Sequence, residues 1–404
     1  MDFNDSPQDM AWREECRAWL EANAPAVAGK DPGNLGSFEP SGDDYLARAK
    51  RWQAMKFDAG FARITWEPEF GGRNGTTMQQ IIFGQEEAKF AVPTEVFVIG
   101  LGMIAPTLRA CGTDEQKQRY LTKLLRGEEI WSQLFSEPGA GSDVASLSST
   151  AVRDGEEWVL NGQKVWTSGA QYSDFGEIVC RTNPEAEKHK GITAFIVNMR
   201  APGVTIKPIK QMNGGSGFNE VFFDDVRVPA DHVLGGVHEG WTVAITTLMN
   251  ERVAIGSGGG GGGRGSVHDL IDLARSRGLN HDPLVRQRLA GLYSKSRIAK
   301  FASMRTLSAA AQGKVPGPEG SIGKLFGGQM MTELGELAID LVGAGAIARA
   351  DADYRWHQPL LGAPAAHIAG GSDEVMKNII GERVLGLPGE PRVDKGVPWK
   401  DVLR

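Results

Sequence analysis

The chain has little cysteine, little histidine and no spacing typical of a metal site. Its 404 residues include three cysteines, Cys16, Cys111 and Cys180, which lie far apart. An odd and widely spaced set does not form a disulfide framework, so we interpret these residues as buried free thiols in a reducing compartment. The 7 histidines form no paired His or Cys/His pattern with metal-ligand spacing, and we therefore expect no metal site.

A basic surplus and a long apolar run are also missing. The formal net charge is −6, which provides no positive field for nucleic acid, so no nucleic-acid partner is expected. No run of about 18 apolar residues occurs, and we expect no membrane span. The opening residues, MDFNDSPQDM, are acidic and fit neither a secretory signal nor a transit peptide, which favours a cytoplasmic protein.

The hydrophobic residues, 41% of the chain, are enough for a sizeable core, and the length predicts two or three domains. Apolar residues recur at helical spacing before residue 130, short β-favouring runs separated by Gly and Asp turns follow, and helical spacing returns after Gly240. The strand pattern fits a small antiparallel barrel or sandwich. We predict an α+β multidomain fold with an N-terminal helical domain (1–129), a middle antiparallel β-barrel domain (130–236) and a C-terminal helical bundle domain (237–404). The early predicted helices cover 8–24, 45–60, 79–90 and 114–125, the last with Thr113 as its N-cap. The predicted strands cover 157–160, 177–181, 192–198, 204–208 and 220–223, and the later predicted helices cover 241–255, 267–277, 283–312, 322–342 and 373–385.

A glycine-punctuated turn at 138–143, PGAGSD, is the most informative local feature. Gly139 and Gly141 allow positive φ and a close approach of the backbone to a ligand. Successive free N–H groups beside Ser142 could cradle a phosphate, and Trp166 offers a flat face to a flat cofactor. The turn therefore predicts a flavin dinucleotide site, although an ordinary hairpin stays open on these residues alone.

Motifs along the whole chain resemble the acyl-CoA dehydrogenase family, flavoenzymes that desaturate acyl thioesters. SEPGAGSD at 136–143, followed by NGQKVWTS at 161–168, resembles the family signature. The segments at 110–120, 218–229 and 381–388 resemble, in order, the family's GTEEQ stretch, its FxxVxVP segment and its carboxyl end. The resemblance implies FAD as the cofactor and a three-part fold in which a helical bundle closes over a flavin held against the barrel.

The resemblance also implies which residue removes the α-proton of the substrate. Many family members place a glutamate just before a Gly-Thr/Ser pair, where this chain has Gly370. A minority place it directly before an arginine on the pocket-lining helix, where this chain has Glu251 and Arg252. We therefore predict Glu251 as the catalytic base, with Arg252 orienting it. The Gly370 N–H is expected to hold the thioester oxygen together with a flavin ribityl hydroxyl, and a helix-surface carboxylate is the alternative for Glu251.

The flavin itself is expected, from the resemblance, to contact the middle and C-terminal parts. Phe135 and Ser136 should approach the isoalloxazine edge, and Ser142 should touch the pyrophosphate or the pantetheine arm. Trp166 should lie against the ring unless it is an ordinary barrel tryptophan. The full predicted set is Gln133, Phe135, Ser136, Gly141, Ser142, Trp166, Ser168, Asp340, Gly343, Ala344, Ser372 and Glu374.

Two departures from the family pattern concern the adenosine end of FAD. The family's Arg-x-x-Phe-Gly element is not found in this sequence, and Arg275 or Arg277 could substitute for it. The family's Gln-x-x-Gly-Gly reads DLVGA at 340–344, and an aspartate beside a pyrophosphate is electrostatically unfavourable. Asp340 is therefore expected to face ribose hydroxyls. For Ser372 and the acidic residues after it, a helix cap with an acidic first turn is the alternative.

The segment GSGGGGGGRG at 256–265 has two interpretations. Each glycine in a helix costs about 1 kcal/mol relative to alanine, so a flexible linker is one of them. The other follows from the resemblance, which puts a helix lining the acyl pocket here. Missing side chains would then make room for a branched, aromatic or steroid-derived acyl group.

The resemblance implies an acyl-CoA substrate, an electron-transfer flavoprotein as electron acceptor, and a homo-oligomer (dimer or tetramer) or a heteromeric assembly. Two alternatives keep the fold. One is a flavin oxidase or monooxygenase that passes electrons to oxygen, against which Glu251 argues because a carboxylate base suits α-proton abstraction. The other is a largely non-catalytic partner subunit of a heteromeric dehydrogenase, suggested by the glycine at 370 and the altered adenosine contacts.

Overall fold

The structure is a computed structural model that describes residues 5–24, 44–90, 92–256, 266–311, 317–348, 356–391 and 394–402. The chain forms two compact units. The first runs through residue 251 and takes in the carboxyl end from residue 391, and the second contains residues 252–390. The division falls inside one helix, between Glu251 and Arg252.

Helices open the first unit, and their polar caps agree with the sequence. Thr113, a predicted N-cap, accepts a hydrogen bond from the Gln116 N–H, and the Gln116 side chain accepts one from the Thr113 N–H. This capping box satisfies two backbone donors that a helix start leaves unpaired, so the prediction is confirmed. The helices are α1 (Pro7–Asn23), α2 (Tyr45–Asp58), α3 (Thr77–Glu87), α4 (Ala105–Cys111) and α5 (Asp114–Leu125).

A mixed sheet follows the helices. Its strands are β1 (Trp131–Leu134), β2 (Thr150–Asp154), β3 (Glu157–Ser168), β4 (Phe175–Arg181), β5 (Ile192–Asn198), β6 (Val204–Ile209), β7 (Phe218–Pro229) and β8 (Val233–Leu234). They run in the order β6-β7-β3-β2-β4-β5-β8, with β1 on β4. Strands β1 and β2 pair with β4 in parallel. Among the described strands β6 and β8 do not pair, so the sheet is open and "antiparallel barrel" is too strong, while the predicted three-part order is confirmed.

Strands β4 and β5 are buried on both faces of the sheet. Val179 and Ile196 pack into one hydrophobic core, together with side chains of α5 and of the helix that follows the sheet. Ile178 and Phe195 pack into a second core. Strands buried on both faces are normally apolar throughout, so the fully buried Glu177 within β4 is an exception.

The later helices begin with α6, which starts in the first unit at Gly240. Two of the predicted spans, 283–312 and 322–342, agree with α8 and α9 to within a few residues, and α11 begins at the predicted residue 373. Helix α10 was not predicted, because its sequence HQPLLGAPAAHI contains prolines and a glycine that disfavour helix. The elements are α6 (Gly240–Gly256), α7 (Val267–Ser276), α8 (Pro283–Ala311), α9 (Gly320–Val342), α10 (His357–Ile368) and α11 (Asp373–Ile379).

Two further expectations concern this half of the chain. Of the glycine run, residues 257–265 lie outside the described residues. In the part of the chain that is described, none of the helices has the length and apolar character needed to cross a bilayer.

Candidate active site

The PGAGSD turn follows β1 and is open to solvent. Glu137 and Ala140 exchange backbone hydrogen bonds of 3.0 Å across its start. Neither Gly139 nor Gly141 has a positive φ, so that prediction is wrong. A Cβ atom added at either glycine would meet no atom within 4 Å. The backbone of the turn is therefore accessible to a ligand because no other atoms lie beside the two glycines, and this accessibility does not depend on unusual dihedral angles.

A buried ion pair supports this turn. The fully buried Lys164, on β3, donates from Nζ to Glu137 Oε1 at 2.8 Å and to the Phe135 carbonyl at 3.2 Å. Glu137 also accepts hydrogen bonds from the backbone N–H groups of Ser148 and Ser149, at 2.7 and 3.0 Å. This ion pair was not predicted from the sequence. The sequence did contain a signal for the burial of Lys164, because this lysine occupies an inward-facing position in a strand whose apolar residues alternate.

The electrostatics of the pair follow from its surroundings. Burial raises the pKa of Glu137, but the charge of Lys164 and the hydrogen bonds from Ser148 and Ser149 outweigh it and hold the pKa at about 2. Glu137 is therefore ionised at neutral pH. The ion pair ties the strand before the turn to the strand that carries Trp166.

Trp166 is both exposed and strained. Its side chain is 59% exposed, and its φ of +60° is rare for a bulky residue. The pairing of β3 with β7 shifts register between Lys164 and Thr167, and this bulge turns the indole outward. The Val165 N–H donates to the Ser136 carbonyl at 2.9 Å, which places the bulge beside the start of the turn. Strain in a bulky residue is typical of binding sites.

The other residues predicted to contact a flavin in the first unit differ in exposure. Ser142 is exposed, whereas Gln133, Ser136 and Ser168 are half-buried. Phe135 is 4% exposed and packs in the hydrophobic core. The structure thus brings Ser136, the turn and Trp166 together and leaves the Phe135 ring in the core.

Glu251 lies on α6 and is half-buried. It follows Val243 and Thr247 at four-residue spacing, and both of these are buried, so Glu251 continues the inward face of the helix. Met249, on the opposite side, is 46% exposed. Arg252 continues the helix, and its side chain lies outside the described residues.

In the second unit, a two-glycine turn joins α10 to α11. Gly370 and Gly371 have φ of +69° and +99°, a conformation that L side chains rarely adopt, so a glutamate at position 370 would be strained. Ser372 is the N-cap of α11, accepting from the Val375 N–H at 3.3 Å, and Glu374 lies exposed in the first turn. The cap interpretation of Ser372 is confirmed.

Charged side chains hold this turn. His367 Nδ1 lies 2.6 Å from Asp373 Oδ2, and His367 Nε2 lies 2.8 Å from the Thr332 hydroxyl. Burial raises the pKa of Asp373, but His367 and Lys324 outweigh it and lower the pKa below its ordinary value. These contacts fix the position of the chain on both sides of Gly370.

The residues predicted for the adenosine end lie at the end of α9. Asp340 is exposed and pairs with Arg288 at 2.5 Å, which offsets the negative charge that made it unfavourable beside a pyrophosphate. Gly343 has a φ of +67°, and a Cβ there would meet no atom within 4 Å. Ala344 is exposed.

The three cysteines differ in burial. All three cysteines are free; Cys16 and Cys180 are buried, whereas Cys111 is only half-buried, contrary to prediction. Burial raises the pKa of the Cys16 and Cys180 thiols to about 12. Within the described ranges, no group of three or more His, Cys, Asp or Glu side chains could hold a metal ion.

The sequence of the chain is similar to known proteins over almost its whole length. Family models for the acyl-CoA dehydrogenase N-terminal, middle and C-terminal domains match residues 6–128, 132–226 and 238–385. The chain is 37% identical over 383 residues to "Acyl-CoA dehydrogenase IpdE1" of Mycobacterium tuberculosis, covering 94% of this chain and 98% of that protein.

Two solved structures share the fold over nearly the whole chain. "Tcur3481-Tcur3483 steroid ACAD" is 29% identical with a TM-score of 0.82, covering 96% of this chain and 100% of that one. The "ChsE4-ChsE5 complex from Mycobacterium tuberculosis" is 30% identical with a TM-score of 0.77, again covering 96% and 100%. Together with the matched family models, these likenesses show that the chain belongs to the acyl-CoA dehydrogenase family, whose members are oxidoreductases that act on CH–CH groups.

Proposed function

We propose that the protein is an FAD-dependent dehydrogenase that introduces an α,β double bond into an acyl-CoA thioester, with Glu251 as the base. The observation that carries the proposal is the position of Glu251, half-buried on the inward face of α6. The other position at which the family places its base is Gly370, which has no side chain and a left-handed backbone.

Glu251 would take the α-proton of the thioester. Its place on the buried face of the helix limits competition from bulk water for that proton, and Arg252, the next residue, would orient it. The Gly370 N–H would donate to the thioester oxygen, where negative charge develops as the proton leaves. This N–H makes no hydrogen bond within the described residues, so it is available for that role.

The residues present fit a flavin dinucleotide. Bound FAD would supply the acceptor for the hydride that leaves the β-carbon. The free space beside Gly139 and Gly141 would let backbone N–H groups and Ser142 hold a pyrophosphate. The exposed face of Trp166 would lie against the isoalloxazine ring. The remaining contacts would come from Gln133, Phe135, Ser136 and Ser168 in the first unit and from Asp340, Gly343, Ala344, Ser372 and Glu374 in the second.

We infer that the acyl group is bulkier than a straight chain, and that it carries rings. What supports this is the likeness to a protein whose title names a steroid, together with the displaced base. Purified protein would be mixed anaerobically with straight-chain, branched, aromatic and steroid-type CoA thioesters while flavin absorbance is followed. We expect the ring-bearing thioesters to bleach the flavin fastest. If none of the panel bleaches the flavin, the proposed function is wrong, and the non-catalytic partner takes its place.

The electron acceptor is proposed to be an electron-transfer flavoprotein. Reduced enzyme would be reoxidised once by that protein without oxygen and once by oxygen alone. The proposal expects the first reaction to be faster, whereas faster reoxidation by oxygen would favour the oxidase alternative.

We also propose that the protein is oligomeric. Large apolar side chains are exposed on α8 and α9, among them Leu284, Tyr293, Ile298, Ile322 and Met331, and such surfaces commonly mark protein interfaces. Two relatives have titles naming a pair of chains, which supports a heteromeric assembly beside a dimer or tetramer of one chain. Mass measurement of the chain alone and after co-expression with a second family member would distinguish these.

Replacing Trp166 by alanine is expected to weaken flavin binding by roughly 5-fold, because the stacking of one ring is worth about 1 kcal/mol. The unfolding free energy of the cofactor-free protein should change by less than about 1 kcal/mol, since the exposed ring buries little surface in the protein itself. Flavin titration and chemical denaturation measure the two quantities. Trp158, buried in the same sheet, is the matched control: its replacement by alanine should reverse the pattern and mainly destabilise the fold.

A further inference from the structure

A buried carboxyl group lies beneath the helix that carries the proposed base. Glu177, on β4, is fully buried, and its Oε1 lies 2.8 Å from the hydroxyl of Thr247 on α6. Its other oxygen, Oε2, has no hydrogen-bond partner among the described residues. Within the part of the chain that the structure describes, no lysine, arginine or histidine forms an ion pair with Glu177. A carboxylate with one hydrogen bond and no cation would be costly at this depth.

Counting hydrogens shows which protonation state fits the contacts. The Thr247 hydroxyl lies 2.8 Å from Glu177, 3.0 Å from the Thr107 hydroxyl and 3.2 Å from the Val243 carbonyl, but it has a single hydrogen. The Thr107 hydroxyl donates to the Met103 carbonyl at 2.8 Å. An ionised Glu177 would take the Thr247 hydrogen and leave the contact between the two threonines without one.

A protonated Glu177 resolves that shortage. Its O–H donates to the Thr247 hydroxyl, whose own hydrogen is then free for Thr107 or for the Val243 carbonyl. With the Thr247 hydrogen directed to Thr107, each contact of 3.0 Å or less in the cluster contains a hydrogen, and only the 3.2 Å contact with the Val243 carbonyl lacks one. The cluster joins β4, α4 and α6 through Glu177, Thr107 and Thr247, with Asn250 Nδ2 also 3.4 Å from the Thr107 hydroxyl.

The cluster lies next to the proposed base along the helix. Thr247 precedes Glu251 by four residues, which is about one helical turn on the same face of α6. Asn250 directly precedes Glu251 in the sequence. Strand β1 places Gln133 in register with Glu177 in a parallel pair, so both side chains leave the same face of the sheet.

We propose that Glu177 is a positioning residue that keeps its proton in the resting protein and, through Thr247, fixes the turn of α6 that presents Glu251. The inference rests on the proposed function for its catalytic consequence, but its structural part can be measured without catalysis. Ionisation of Glu177 would place an unpaired charge in the core and loosen this turn.

The pH range follows from the burial. Burial raises the pKa of Glu177 from 4.5 to about 8, against a smaller opposing effect of Thr247. The folded protein therefore holds a proton that the unfolded chain releases, and stability declines as pH rises from about 5 to about 8. Cys111 is a titratable group that interacts electrostatically with Glu177, and burial raises the pKa of its thiol. On α6 the nearest titratable residue in sequence to Thr247 is Glu251, four residues later. Gln133 and Ile196 are the register partners of Glu177 on the neighbouring strands.

The test uses Glu177→Gln, whose amide can donate to Thr247 but cannot ionise, and Thr247→Val, which keeps the shape and removes the hydroxyl. Infrared difference spectra of the wild-type holoenzyme should show a protonated carboxyl band at pH 7 that disappears above pH 8, and Glu177→Gln should lack it. Amide exchange at residues 248–251 should rise about 10-fold in Thr247→Val and stay near wild type in Thr247→Ser. The decline of stability between pH 5 and 8 should be shallower in Glu177→Gln.

With a substrate that bleaches the flavin, kcat of the wild type should fall on the alkaline side and Glu177→Gln should lack that limb. Thr247→Val should lower kcat about 10-fold with little change in KM, and Thr247→Ser should restore it. An infrared band that persists in Glu177→Gln, or unchanged exchange in Thr247→Val, would overturn the inference. If no thioester bleaches the wild-type flavin, the proposed function fails separately, and the infrared and exchange results still decide whether Glu177 holds a proton and fixes the helix.

Discussion

Replacing Glu251 by glutamine is expected to leave a yellow, FAD-containing protein that acyl-CoA thioesters no longer bleach. A general base contributes about 10²- to 10⁴-fold to a rate, and the α-proton of a thioester is only weakly acidic, so we expect a fall of about 10³-fold or more in the reductive half-reaction. The amide keeps the size of the side chain and the packing of α6. Anaerobic stopped-flow absorbance measures the rate, and flavin content is measured on the same sample.

The matched control for this prediction is Glu239→Gln. Glu239 lies just before α6 and is exposed. Its replacement by glutamine therefore removes the same charge near the same helix and leaves the proposed base unchanged. The control should bleach at the wild-type rate. Glu251→Asp, which withdraws the carboxylate by one methylene, should retain a measurable part of the activity. If Glu251→Gln bleaches as fast as the control, another group removes the proton and the assignment of the base is wrong.

Local signals in the sequence predicted much of the fold. Thr113 and Ser372 cap helices as their residue types and positions indicated, and α8 and α9 follow uninterrupted helical periodicity. Pairings between distant strands left no such signal. Strand β1 lies parallel to β4, and its residue Gln133 is in register with Glu177, 44 positions later in the chain. A parallel pair needs a long crossover connection, which leaves no local sequence signal. This is why the open, mixed sheet was predicted as an antiparallel barrel.

The candidate site divides in the same way. The motif placed a turn, a serine and a tryptophan in one region, and the structure brings the turn and Trp166 together. What the motif could not give is the burial of charged groups. Lys164 lies in a strand with alternating apolar residues, and Glu177 lies in a strand that is apolar almost throughout. Both side chains are fully buried, and this burial depends on helices and strands that are remote in sequence. The positive φ expected at Gly139 and Gly141 was wrong, because glycine permits that conformation without requiring it.

Replacing Lys164 by methionine is expected to destabilise the protein by about 3–5 kcal/mol, because it leaves a buried carboxylate without its cation. The change removes the hydrogen bond to the Phe135 carbonyl as well, so the PGAGSD turn should loosen and flavin should be lost. Chemical denaturation and flavin retention on gel filtration measure the two effects. Lys190→Met is the matched control, since Lys190 pairs with Glu187 and both side chains are exposed, and surface pairs are worth about 1 kcal/mol or less.

The acid side of the stability profile provides an independent measure of the same pair. The pKa of Glu137 is lowered from 4.5 to about 2, so the stability it contributes is fully present above about pH 5 and is lost as pH falls towards 2. The shift corresponds to about 3 kcal/mol, and Glu137→Gln should flatten that decline. The double variant Glu137→Gln with Lys164→Met replaces both charges by groups of similar size, and it should be more stable than Lys164→Met alone because no uncompensated charge stays buried. Equal destabilisation of the single and double variants would mean that the loss comes from packing around Lys164 and that the ion pair does not hold the turn.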